Sequence, residues 1–114
     1  MTIPLKNIDL PMAEIEQFCQ KWNLIEFALF GSVIRDDFRP DSSDIDVMIR
    51  YRSDAVPTFY DLDSMEEELE LLFGREVDVI TRQGIEQSSN YLRRHAILSS
   101  AKVIYESARP TVSA

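Results

Sequence analysis

The chain has one cysteine, one histidine, and no apolar run approaching the ~20 residues that a membrane span requires. Cys19 has no second cysteine with which to close an internal disulfide, which agrees with a reducing compartment. His95 stands between Arg94 and Ala96 with no acid or cysteine cluster beside it, so it reads as an ordinary helix residue. The first residues, Met1-Thr2-Ile3-Pro4-Leu5-Lys6, lack the apolar core of a signal peptide. The expectation is cytoplasmic residence with no membrane contact. Basic residues are also scarce: 12 Lys and Arg stand against 20 Asp and Glu, a net charge of −8. Direct binding of nucleic acid is not expected, because contact with a phosphate backbone needs a basic surface. A nucleotide held through metal ions remains open, and an acidic chain suits a basic protein partner.

There are no internal repeats and no low-complexity segment. With 114 residues and 45% hydrophobic content, the chain can build one ordinary core. One domain is expected over residues 1–106, with a flexible tail at 107–114. Pro11 can open a helix, and Ile15, Phe18, Cys19 and Trp22 recur at helical spacing, so a helix is expected over 11–22. Leu24 to Phe30 is short and apolar apart from Glu26, which predicts a buried strand ending at Gly31. A turn and a short helix should follow to about Arg35, then a polar loop from Asp36 to Ser43.

Asp44 to Arg50 alternates as a strand, with Asp44, Asp46 and Met48 on one face. A helix lies within 58–73, with Leu62, Met65, Leu69, Leu72 and Phe73 as its apolar stripe and Glu66, Glu67, Glu68 and Glu70 as a solvated face. Gly74 ends it. Glu76 to Thr81 is a third strand, 84–99 a final helix, and Lys102 to Glu106 an edge strand. The expected fold class is α/β (α+β), with a small mixed sheet of about four strands flanked by helices.

Three features carry chemistry. Asp44 and Asp46 point the same way from one strand, and two converging carboxylates repel unless a cation lies between them. Mg²⁺ prefers such hard oxygen ligands together with substrate phosphates. Gly31-Ser32 follows a buried strand and opens a helix, where backbone N–H groups and a hydroxyl can meet a phosphate. Asp78 interrupts the apolar run Val77-Asp78-Val79-Ile80 and so must lie on the face opposite the two valines. If its strand neighbours the Asp44 strand, three carboxylates meet on one face. That is the ligand set of a two-metal site for in-line displacement at phosphorus. Each feature alone is more often an ordinary turn or a polar strand start; their combination points to metal-dependent nucleotidyl transfer.

The stretch from Gly31-Ser32-Val33-Ile34-Arg35 to Asp44-Ile45-Asp46 resembles the signature of the minimal nucleotidyltransferases, within the DNA polymerase β-like nucleotidyltransferase superfamily. The resemblance continues through Val77-Asp78-Val79-Ile80 and the closing Leu92-Arg93-Arg94 and Val103-Ile104-Tyr105. It implies a polymerase β-like core in which Gly31, Ser32 and Arg35 hold the nucleotide and Asp44, Asp46 and Asp78 bind two Mg²⁺ and serve catalysis. It also implies ATP as co-substrate and a place among antitoxins of HEPN/MNT toxin–antitoxin pairs. In those pairs the small enzyme transfers AMP to a tyrosine of a HEPN ribonuclease toxin and silences it. Two alternatives stand beside this: a non-catalytic antitoxin that neutralises its partner by binding, and transfer to a small molecule such as an aminoglycoside.

Overall fold

The structure, a computed structural model, describes residues 2–4, 9–31 and 44–107. Two short strands, β1 (Thr2–Pro4) and β2 (Asp9–Pro11), pair antiparallel and lead into helix α1 (Met12–Lys21). Strands β3 (Leu24–Phe30) and β4 (Ile45–Tyr51) follow, then α2 (Phe59–Phe73), β5 (Val77–Thr81), α3 (Arg82–Glu86), α4 (Tyr91–Ser100) and β6 (Lys102–Glu106).

The main sheet has the order β5-β4-β3-β6. β3 is antiparallel to both β4 and β6, whereas β4 and β5 are parallel. The parallel pair needs a crossover, and α2 supplies it. That single parallel step sets the N-terminal ends of β4 and β5 side by side, next to the C-terminal end of β3. The fold is therefore the mixed α+β arrangement that the sequence predicts.

Each face of the sheet has its own core. The larger gathers Phe27 and Leu29 of β3, Ile45, Val47 and Ile49 of β4, and Val77 and Val79 of β5 against Ile15, Phe18 and Cys19 of α1 and Met65 and Leu69 of α2. Burying side chains of this size contributes roughly 1.5–3 kcal/mol each, so this face anchors the strands. The smaller core joins Ala28 and Met48 to Ile85 of α3 and Ile97 of α4. Alternation along β4 thus buries one set of side chains under α1 and α2 and presents the other toward α3 and α4.

Helix α2 has well-defined ends. Thr58 Oγ1 accepts from the Asp61 N–H at 3.1 Å, and Asp61 Oδ2 accepts from the Thr58 N–H at 2.8 Å, a reciprocal cap. Gly74 closes the helix in the left-handed region, at φ +72°.

Two elements depart from expectation. The β1–β2 hairpin is additional; its strands of three residues are too short for alternation to show. The helix expected over 84–99 is two helices, broken at 87–90. Ser88 Oγ accepts from the Asn90 N–H at 3.2 Å, and Asn90 Oδ1 accepts from the Arg93 N–H at 3.1 Å, so this stretch caps a new helix instead of continuing the old one. The turn helix expected after Gly31, the loop 36–43 and tail residues 108–114 lie outside the described residues. No helix among the described residues is long and apolar enough to cross a membrane.

Candidate active site

Asp44 directly precedes β4, and Asp46 is its second residue. The period of two places both on the face of Met48 and Arg50. In the parallel ladder Asp46 stands directly opposite Asp78, with Ile45 opposite Val77 and Val47 opposite Val79. The valines are buried and Asp78 is exposed. Their burial turns Asp78 out onto the face of Asp44 and Asp46, at the end of the sheet where β4 and β5 begin.

On the other side of β4, Phe30 pairs with Asp46, so the chain leaves β3 for Gly31 beside that carboxylate. Gly31 has φ +76°, in the left-handed region where only glycine is unstrained. A Cβ built on it would collide with Asp46 Oδ2 and lie 3.3 Å from Asp46 Cγ. Glycine is needed here twice, for the turn and for the space the Asp46 carboxylate fills. Ser32 and Arg35, the other expected phosphate ligands, lie outside the described residues.

The three aspartates are brought to one corner, but they are not drawn into a finished cage. Among the described residues no three His, Cys, Asp or Glu side chains are gathered closely enough to hold an ion as they stand. The donor set itself is all carboxylate oxygen, which fits Mg²⁺.

The acidic face of α2 is a correction to the sequence reading. Glu66 Oε2 accepts from the Val79 N–H at 2.9 Å, and Glu70 Oε2 accepts from the Val77 N–H at 3.4 Å. Glu68 pairs with Lys21 Nζ of α1 at 2.7 Å. Three of these glutamates thus join α2 to its neighbours. Glycine-terminated helical patterning located α2 but carried no sign of which strand edge it would cover.

The opposite end of the same sheet face is organised differently. Glu26, buried, lies 3.8 Å from Arg50 Nη1 and 3.6 Å from Arg82 Nη1. A groove of about 1610 Å³ opens at that end, lined by Asn23, Arg50, Tyr51, Arg52, Gln83 and others, well away from the aspartates along β4. Tyr51 packs against the larger core, and its carbonyl accepts from Gln83 Nε2 at 2.8 Å. Arg94 Nη1 donates to the Ser88 carbonyl at 2.8 Å, and Arg93 and His95 are exposed on α4. Cys19 is fully buried; burial, aided by the charge of Glu16, pushes its pKa up to about 12, so it stays a neutral thiol.

A parallel pair of acid-bearing strands beside a glycine turn defines a class, and comparison with known proteins agrees. The chain matches the Nucleotidyltransferase domain family over residues 13–106 and belongs to it. It is 35% identical over 65 residues to a Methanocaldococcus jannaschii protein named "Putative protein adenylyltransferase", a match that covers 57% of this chain and 64% of that one. The chain thus spans just under two thirds of that relative. Among solved structures it is similar to a toxin–antitoxin crystallised with AMP-PNP (TM-score 0.64, 18% identity, 87% of this chain and 76% of that one). It is also similar to a "putative minimal nucleotidyltransferase" (TM-score 0.61, 26% identity, 79% and 85%). A third is a tri-AMPylated Shewanella oneidensis HEPN toxin in complex with MNT antitoxin (TM-score 0.57, 16% identity, 83% and 69%).

Proposed function

We propose that this chain is a Mg²⁺-dependent protein adenylyltransferase of the antitoxin kind, moving AMP from ATP to a tyrosine of a HEPN-type ribonuclease toxin. The observation that carries the reading is the alignment of Asp46 with Asp78 across parallel strands, with the left-handed turn at Gly31 pressed against Asp46. The names of the similar proteins supply the acceptor class: one is called a protein adenylyltransferase, and another was solved with an AMPylated toxin.

Gly31 and Ser32 would offer N–H groups, and Ser32 its hydroxyl, to the nucleotide phosphates, with Arg35 close behind. Asp44, Asp46 and Asp78 would hold two Mg²⁺, which when bound neutralise phosphate charge and favour the anion of the acceptor hydroxyl. A tyrosine hydroxyl has a pKa of about 10 and is a weak nucleophile at neutral pH. Asp78, exposed at the corner, would take its proton. The tyrosine oxygen then forms its bond to the α-phosphorus as the bond to pyrophosphate breaks. Positioning and charge neutralisation supply the rate.

The test is transfer of label from [α-³²P]ATP to the toxin partner, with Mg²⁺, by the wild type and by Asp44→Ala. Label on a toxin tyrosine that disappears in the variant supports the reading. If Asp44→Ala protects cells from the toxin as well as the wild type does, the chain acts by binding alone.

A further inference from the structure

We infer that Glu66 and Glu70 of α2 are positioning residues for Asp78: their carboxylates hold the backbone N–H groups on either side of it. The inference rests on the proposed role of Asp78 in nucleotidyl transfer. β5 is an edge strand, with β4 on one side only. The amides on its outer side therefore have no ladder partner, and a short edge strand of this kind is free to twist and fray. Here those outer amides are Val77 and Val79, and they donate to Glu70 and Glu66 at 3.4 Å and 2.9 Å.

The spacing matches. Two residues four apart on a helix are separated by about 6 Å along its axis. Two amides two apart on a strand are separated by roughly 6.6 Å. α2 runs antiparallel to β5, so the earlier glutamate meets the later valine. On its inner side, β5 is held in register against β4, with the Ile45 N–H donating to the Glu76 carbonyl at 3.0 Å. The strand is thus held from both sides around Asp78. A hydrogen bond to a carboxylate is about twice as strong as a neutral one, which suits an edge that carries a catalytic side chain. A misplacement of about 1 Å can cost on the order of a hundredfold in rate.

The experiment compares Glu66→Met/Glu70→Met, which keeps side-chain length but removes the acceptors, with Glu66→Gln/Glu70→Gln, whose amide oxygens still accept. Three quantities are read: hydrogen exchange at the Val77 and Val79 amides, thermal stability, and kcat and ATP KM for toxin labelling. In the methionine variant both amides should exchange at least about tenfold faster. Its kcat should fall roughly ten- to a hundredfold, with ATP KM within about twofold of wild type. The glutamine variant should recover most of both. Should the double methionine variant fail to fold, Glu66→Met alone, which removes the shorter bond, is read in the same way. Unchanged kcat with faster exchange overturns the inference, as does unchanged exchange, or a glutamine variant as impaired as the methionine one. A wild type that labels nothing overturns the transferase reading and this inference with it; an active wild type with indifferent methionine variants overturns this inference alone.

Discussion

Two ends of one sheet face handle charge in opposite ways. At the Arg50 end, Glu26 sits buried between two guanidinium groups that the chain itself provides. At the Asp44 end, three carboxylates of one sign share a corner through strand alternation and a parallel register. The residues that separate the two ends, Ala28 and Met48, are apolar and packed beneath α3 and α4. The first end has its counter-charges built in and contributes to the fold. The second gathers carboxylates where the proposed function calls for cations and a triphosphate.

Substitutions should separate the ends in that order. Asp46→Asn removes a proposed metal ligand and should lower AMP transfer by about a thousandfold or more, the equivalent of roughly 4 kcal/mol of barrier. Its melting temperature without metal should change little beside that loss of activity. A variant that loses stability along with activity would break the contrast. Gly31→Ala forces a side chain into the left-handed region and into Asp46. It should cost about 1 kcal/mol or more in stability and ten- to a hundredfold in transfer, measured by chemical denaturation and toxin labelling.

Glu26→Gln should do the reverse. Its ion pairs are long and its arginines partly exposed, so a loss of about 1 kcal/mol is expected, with labelling within about twofold of wild type. The titration of Cys19 bears on stability only in alkali. Its thiol is held protonated in the fold, with a pKa moved from 9.0 to about 12. The stability this provides is complete below pH 9.0 and is lost as pH rises from 9.0 toward 12, because only the unfolded chain releases the proton. Cys19→Ala should flatten that decline in a pH series of denaturation curves.

Much of this could be read along the chain. Leu24 to Phe30 and Lys102 to Glu106 are strands with the expected limits, and α1 and α2 fall within about a residue of expectation. Periodicity works there because each element buries one face against a core. The break at Ser88-Ser89-Asn90 was not legible, since the same residues can continue a helix or cap one, and the difference lies in hydrogen bonds to particular neighbours. The glutamates of α2 were misread for a related reason. A polar helix face is solvated by default, and only the path of β5 beneath it turns Glu66 and Glu70 toward amide donors.

The local pattern by itself determined which residues are candidates: alternation puts Asp44 and Asp46 on one face, and the buried valines force Asp78 onto the face opposite their own. Those are short-range consequences of strand geometry, and they hold in any fold that keeps the strands. That β5 lies beside β4, parallel, with Asp78 level with Asp46 and Gly31 against Asp46, was decided only by the tertiary structure. Register between distant segments is chosen by how the whole sheet packs on α1 and α2, and no stretch of sequence contains that choice alone.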